Sequence, residues 1–393
     1  MDPQLLRDCV HCGFCLPTCP TYELWHEEMD SPRGRIWLMN ATVEGTLQLD
    51  ATVARHFDRC LGCMACITAC PSGVQYDRLI ELARERVEEE VRRPVSQRAL
   101  RALAFAVLPR SKLMRVALPF SKLAPFRAFR ELAPPWREAV APPPETPARG
   151  KAIARVGLLT GCVQSVLFGE VNRATARVLG AYGYEVVTPY GGCCGALALH
   201  AGRRTQGLEM AQRVETAMRA AGVETIVTNA AGCGSHLKDA HLGLAVADVH
   251  ELLVDGNEPE RSPLPLRVAF QDSCHLLHAQ QIQAQPRAVL RSIPELELVE
   301  PAEQHLCCGS AGIYNLVQPE AARELGDRKA RHVAATEADI YASANPGCLL
   351  QVSAALRRAG RPLPAVHPVE LVDASLRGGG AAAVRRRGVR SAR

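Results

Sequence analysis

From residue 151 onward, short apolar runs alternate with longer stretches in which apolar residues recur every three to four positions. The runs predict strands at 156–160, 185–188 and 225–229, and the periodic stretches predict helices at 170–181, 203–221 and near Ser235. The series then restarts, with strands at 267–271, 297–299 and 339–343 and helices at 320–336 and 348–359. Such alternation implies a duplicated α/β unit with a mainly parallel sheet. Upstream, residues 36–43 and 78–93 read as helices, the second carrying Glu/Arg pairs at helical spacing. In between, recurring prolines isolate three apolar-basic pieces at 100–108, 113–118 and 126–129. These read as short helices with one apolar and one cationic face. They suit docking to an anionic membrane surface or an acidic partner, and equally a linker that wraps its own domains.

Cysteine spacing gives the upstream segment its chemistry. Cys9-x2-Cys12-x2-Cys15-x3-Cys19-Pro20 recurs as Cys60-x2-Cys63-x2-Cys66-x3-Cys70-Pro71. This is the bacterial ferredoxin spacing for [4Fe–4S] clusters, in which the fourth cysteine of a run ligates the other cluster. The expected ligand sets are Cys9, Cys12, Cys15 and Cys70 for one cluster, and Cys60, Cys63, Cys66 and Cys19 for the second. Zinc sites favour two separated C-x2-C pairs, not a triplet followed by Cys-Pro. Backbone N–H groups of so short a loop point at an anionic cluster. Two neighbouring clusters imply an electron relay.

Composition narrows the setting. With 393 residues and 47% apolar content, the chain is long enough for two or three globular domains. Met1-Asp-Pro-Gln4 is not followed by an apolar core, so no secretory signal is expected. Sixteen cysteines without one point to metal ligation in a reducing compartment, hence a cytoplasmic location, with peripheral attachment to the inner face of the cell membrane as an extension of it. The net charge of +5 is unevenly spread. Residues 91–130 hold ten Arg or Lys and no acid, and residues 374–393 hold six Arg and no acid, as expected of interaction surfaces. No nucleic-acid-binding motif accompanies that charge, so no nucleic acid is expected. No dinucleotide loop, phosphate loop or haem-attachment motif is found, so no flavin or nicotinamide site is expected in this chain.

The restart at residue 264 is an internal repeat. In the first copy Cys162, Cys193-Cys194-Gly195 and Cys233 each follow a predicted strand; in the second, Cys274, Cys307-Cys308-Gly309 and Cys348 do the same. In a parallel sheet those loops gather at one edge, where open α/β folds bind ligands. The chain therefore divides into a small, mainly α-helical ferredoxin-type two-cluster module (1–93), a basic Pro-rich connector (94–150), two α/β cysteine-rich repeats with pseudo-twofold symmetry (151–263 and 264–373) and a disordered basic tail (374–393). His236, His275, His278 and His305 lie beside these cysteines. Each suits a ligand, a proton relay or, most simply, a hydrogen-bonded wall residue.

A Cys-Cys-Gly repeat behind a two-cluster module resembles the iron–sulfur subunits of membrane-associated dehydrogenases: those of glycolate oxidase, anaerobic glycerol-3-phosphate dehydrogenase and the lactate-utilisation proteins. Gly161-Cys-Val-Gln164, Gly192-Cys-Cys-Gly195, Gly232-Cys-Gly234 and the His305–Tyr314 stretch look most like the glycolate oxidase members. The resemblance covers roughly residues 1–370. It implies an oxidoreductase component that is inactive without a flavin-containing 2-hydroxy-acid oxidase subunit. That partner would oxidise glycolate to glyoxylate, and electrons would pass through this chain to a quinone or another membrane acceptor. The same role for lactate or glycerol-3-phosphate, and a non-catalytic redox sensor or scaffold, are the alternatives. In the related heterodisulfide reductases each motif ends C-x2-C and holds non-cubane clusters. Here those positions are His236 and Gln351, which argues against two non-cubane clusters and against disulfide reduction. The eight remaining cysteines suit one further cluster per copy, one shared cluster, or an acceptor site.

Overall fold

The computed structural model describes residues 3–123, 131 and 140–389. Its N-terminal module is helical: α1 (Pro3–Arg7), α2 (Pro20–Trp25), α3 (Pro32–Val43), α4 (Ala51–Arg59), α5 (Ala65–Thr68) and α6 (Tyr76–Glu90). Local chemistry sets the helix starts. Ser31 caps α3 by accepting the Gly34 N–H at 3.0 Å ahead of Pro32 at the first position, and Asp50 caps α4 through the Thr52 and Val53 N–H groups. Leu79, Ile80, Ala83 and Val87 of α6 recur at helical spacing and are buried against Phe57 and Met39 in one core.

The connector forms α7 (Val95–Val107) and α8 (Ser111–Ala117); the piece at 126–129 lies outside the described residues. The inner face of α7 packs Ala104 and Phe105 against Ala201 and Ile313 of the repeats. Part of the basic charge is used internally. Arg101 donates to Glu88 at 2.6 Å and to the Ala201 carbonyl at 2.9 Å, and Arg93 pairs with Asp58 and Glu88. These pairs are mostly sheltered, and they tie α6, α7 and the first repeat together.

Each repeat builds a four-stranded parallel sheet. The first contains β1 (Ala154–Leu158), β2 (Tyr184–Val187), β3 (Thr225–Thr228) and β4 (Ala245–Asp248) in the order β2-β1-β3-β4. Its helices are α9 (Cys162–Leu167), α10 (Gly169–Ala181), α11 (Ala196–His200), α12 (Arg204–Ala220), α13 (Ala231–Asp239) and α14 (Val249–Asp255). In the second, β5 (Leu266–Phe270), β6 (Leu296–Val299), β7 (Ile340–Ala342) and β8 (Ala365–Val366) repeat the order as β6-β5-β7-β8. Its helices are α15 (Ala284–Arg291), α16 (Tyr314–Val317), α17 (Pro319–Ala335), α18 (Pro346–Arg358) and α19 (Pro368–Leu376).

The two repeats share one core. Val156, Leu158 and Leu179 of the first cluster with Val268, Phe270, Leu290 and Val369 of the second. Helix α10 packs on α19, and α14 packs on α15. Because α10 corresponds to α15 and α14 to α19, these contacts exchange under a pseudo-twofold axis. Arg177 of α10 clamps Asp373 of α19 with two 2.7 Å bonds across that interface.

The structure adds elements that apolar periodicity did not reveal: α15, the edge strands β4 and β8, and the helices that follow those strands. β4 and β8 are four and two residues long, too short for a clear run. A signal was nevertheless present, since both following helices open with a capping box, Asp248 with Glu251 and His367 with Glu370. The segment from Ala374, read as a disordered tail, instead completes α19 and forms α20 (Gly380–Val389), where Val384 is buried in the shared core and Arg385 pairs with Asp339.

Candidate metal centres

Strand order brings the repeat cysteines together. In each copy the cysteine-bearing loops follow three adjacent strands, while the fourth strand lies at an edge and leads into the capped helix. In the first copy Cys193 lies within electrostatic reach of Cys162 and Cys194, and Cys194 of Cys233. In the second the Cys274 and Cys307 sulfurs are 4.0 Å apart and those of Cys308 and Cys348 are 3.4 Å apart, and Cys307 interacts with Cys308. The Gly195 and Ala196 N–H groups point at Cys193 and Cys194 from 3.4 and 3.5 Å, and the Gly309 N–H points at Cys307 from 3.5 Å. Gly195 and Gly309 are required for this approach. Both have positive φ, and a Cβ would lie 2.2 Å from the Gly207 carbonyl oxygen or 2.6 Å from that of Ala322.

The copies differ electrostatically. Contacts with Cys162 and Cys194 hold the Cys193 thiol well below its ordinary value. In the second copy the contact with Cys274 and burial push the corresponding Cys307 far up. Lys329 of α17 is 1% exposed and interacts with Cys307, Cys308 and Cys348; its Nζ donates to the Glu303 carbonyl. No sequence signal marked this lysine beyond its place on the apolar face of α17.

In the N-terminal module both cysteine runs contribute to each of two cavities. The outer cavity is lined by Cys9, Cys12, Cys15 and Cys70, with Cys66 in its wall; the inner one is lined by Cys19, Cys60, Cys63 and Cys66. The outer site is open, with Cys12 exposed and Val10 and Phe14 67% and 66% exposed beside it. All four cysteines of the inner site are buried. Burial pushes the Cys63 and Cys66 thiols far up. It acts most strongly on Cys60 too, but Arg35, Arg84, the Gly62 N–H and the Tyr76 hydroxyl together outweigh it and bring that thiol below its ordinary value. Arg35 is fully buried, donating to the His56 carbonyl at 2.6 Å, Thr21 at 3.1 Å and Asp30 at 3.4 Å. Arg84 donates to the Cys60 carbonyl and, at 2.9 Å, to the His200 carbonyl of the first repeat. Sequence reasoning missed both arginines. For Arg35 a signal existed, because it shares a face of α3 with the buried Leu38 and Met39.

The inner site abuts the second repeat. Leu61, Cys63 and Ala65 pack with Cys307, Tyr314, Ala322 and Leu325 in one cluster, with Cys274 at its border. His278 spans the same junction, bonding Thr68 at 2.8 Å and the His305 carbonyl at 2.9 Å. It is a bridge between domains, and His305 contributes its carbonyl. His275 is half-buried against Cys274 Sγ at 3.6 Å and packs on His200. The two repeats meet close to their cysteines, where the Ala231 N–H donates to Ala344 at 3.2 Å and Gln280 donates to the Ala231 carbonyl. The Asn229 and Asn345 motifs are offset by one residue. Ala230, not Asn229, occupies the cap position that Asn345 holds, and Asn229 instead bonds Asn172 and Thr175.

These donors fit iron–sulfur clusters. Soft thiols are grouped in fours, with amide N–H groups or guanidinium groups turned toward an anionic guest. Among the described residues no three side chains converge on a single metal-ion position. A multi-iron cluster, whose thiolates sit on separate irons, does not need that arrangement.

Grouped thiols, an exposed outer site and a buried inner one define an iron–sulfur protein of the dicluster type with a duplicated cysteine-rich domain. Residues 5–74 match the 4Fe-4S dicluster domain family, and residues 156–238 and 268–353 match the cysteine-rich domain family. The chain is 37% identical to the glycolate oxidase iron-sulfur subunit of Escherichia coli over 95% of each chain. It is 35% identical to a probable glycolate oxidase iron-sulfur subunit of Bacillus subtilis, over 95% of this chain and 94% of that one. Lactate utilization protein A of Oceanobacillus iheyensis is 26% identical over 57% of this chain and 99% of its own. The chain belongs to the family of glycolate oxidase iron–sulfur subunits.

Proposed function

We propose that this chain is the electron relay of a glycolate-oxidising complex. A flavin subunit would oxidise glycolate to glyoxylate and pass single electrons to this chain, which hands them to a quinone or another membrane acceptor. The observation that carries the reading is a continuous path of thiol sites. It runs from the open outer site, through the buried inner site, to Cys307 across one shared apolar contact. Iron–sulfur clusters supply the one-electron chemistry; the chain supplies position, burial and charge. Cys9, Cys12, Cys15 and Cys70 hold the outer cluster, and Cys19, Cys60, Cys63 and Cys66 the inner one. The repeat cysteines Cys162, Cys193, Cys194 and Cys233, and Cys274, Cys307, Cys308 and Cys348, hold further sites on the path. Similarity to the glycolate oxidase subunits across nearly the whole chain favours glycolate over lactate as donor.

Two outcomes test the ligand sets and the donor. Cys19→Ser and Cys60→Ser should remove the same EPR signal, and Cys9→Ser and Cys70→Ser the other; pairing by run instead would refute the crossed assignment. Anaerobic glycolate added to the complete complex should reduce these signals. Spectra that glycolate leaves unaltered would sink the relay reading.

The connector supports a membrane role on its outer face. Leu103, Leu113, Val116 and Phe120 are exposed there, alongside exposed Arg98, Arg110 and Lys112. Apolar side chains flanked by cations suit an anionic bilayer surface. Among the described residues no helix is long and apolar enough to cross a membrane. Leu113→Glu with Val116→Glu should lower co-sedimentation with anionic liposomes by at least about tenfold, since burying each such side chain is worth about 1.5–3 kcal/mol. Unchanged sedimentation would remove the membrane from the account.

A further inference from the structure

We propose that His236 is a nitrogen ligand of the iron–sulfur cluster held by Cys162, Cys193, Cys194 and Cys233, which makes the first repeat a mixed Cys/His site. The proposal rests on the reading that this repeat holds a cluster. It names a donor where the sulfur count alone leaves the site one ligand short of the C-x2-C pattern.

His236 lies three residues after Cys233 on α13, so the two side chains share a helix face. It is 2% exposed. Its Nε2 lies 3.2 Å from the Gly207 carbonyl oxygen. A carbonyl only accepts, so Nε2 carries the proton and Nδ1 keeps the lone pair. That Nδ1 is buried and has no hydrogen-bond partner. A buried acceptor with nothing to accept from is costly, and a metal would resolve it. Metal-ligating histidines typically donate their second ring nitrogen to a backbone carbonyl, which fixes the ring and the tautomer. The ring also lies against the Cys193-Cys194-Gly195 loop. Its Nε2 would be 2.9 Å from a Cβ on Gly195, the residue after Cys194, and the ring interacts electrostatically with Cys193.

The second repeat supplies an internal control. Gln351 occupies the corresponding place, three residues after Cys348, and its Nε2 donates to the Ala322 carbonyl at 2.6 Å. Ala322 stands to Gly309 as Gly207 stands to Gly195. Anchoring α13 or α18 to the neighbouring helix therefore needs only an amide. The imidazole in the first repeat adds a lone pair to that anchor, so the first site gains a neutral fifth donor beside its four thiolates. The two repeats thus diverge at one position, with a nitrogen donor available in the first and an amide in the second.

His236→Gln tests this with the fold preserved, because the amide keeps the bond to Gly207 as Gln351 does to Ala322. In the anaerobically purified complex labelled with 15N-histidine, electron–nuclear double resonance of the reduced first-repeat cluster should show a directly bonded nitrogen. That signal should be lost in H236Q, with a change in the cluster's midpoint potential, and retained in His275→Gln. A purely structural histidine predicts identical nitrogen spectra and potential in wild type and H236Q, which would overturn the ligand assignment while leaving the relay reading intact. Iron and sulfide accounting for the two N-terminal clusters alone would overturn both this proposal and the reading that the first repeat holds a cluster.

Discussion

Cys63→Ser should cut the path in the middle while leaving its entrance intact. Cys63 is in the buried inner set and packs directly on Cys307 of the second repeat. Serine offers an oxygen that stays protonated in an apolar wall, so the inner site loses a soft anionic ligand. Iron content should fall by about four per chain, the complement of one cubane. The outer site shares no ligand with it and should still be reduced by substrate. Acceptor-linked turnover should fall by at least about 100-fold, the upper end of what losing even an outer-shell partner costs a metal site. Cys9→Ser is the informative contrast: substrate should then reduce neither site, although a small chemical reductant still reaches the inner one. Wild-type turnover in C63S, with the iron loss confirmed, would show that electrons enter the repeats by another route.

Arg35→Met should produce the largest loss of stability in the module. Asp30 is fully buried and receives Arg35, Arg59 and His56. Removing one member of a buried charge group typically costs about 3–5 kcal/mol, because the remaining charge is left under-compensated. Methionine fills much of the volume, so the effect isolates charge and hydrogen bonding from cavity formation. Arg35 is also a cation that lowers the Cys60 thiol. Its loss should therefore lower the midpoint potential of the inner site as well as the urea concentration at which cluster absorbance disappears. Lysine should not rescue fully, since a single ammonium cannot reproduce guanidinium bonds to His56, Thr21 and Asp30 together. An unchanged urea midpoint in R35M would mean that the Asp30 network is held by Arg59 and His56 alone.

The distribution of what could be read in advance follows from physics. Cysteine runs are legible because cluster geometry imposes fixed local spacing, and the repeat is legible because two copies carry the same sulfur order. Parallel strands such as β1 and β5 announce themselves as apolar runs. The edge strands β4 and β8 are too short for that, and the tail helix α20 meets the core through Val384 inside a run of small and basic residues that reads as polar. The charges beside the cysteines were not legible. Arg84 acts on Cys60, and Lys329 on Cys307, Cys308 and Cys348, from other elements of the same domain, through contacts that exist only once those elements have packed. Which repeat's cysteines face the inner site was equally invisible, since both carry the same motif. The Cys63–Cys307 contact decides it by packing Leu61 and Ala65 against Ala322 and Leu325.

The direct test of the path is its order of filling. Freeze-quenched EPR of the complete complex after anaerobic mixing with glycolate should show the signal assigned to Cys9, Cys12, Cys15 and Cys70 first. The signal of Cys19, Cys60, Cys63 and Cys66 should come next, and those of the repeats last. Repeat signals that appear before the inner-site signal, or that appear at wild-type rates in C63S, would contradict a single path through the Cys63–Cys307 junction.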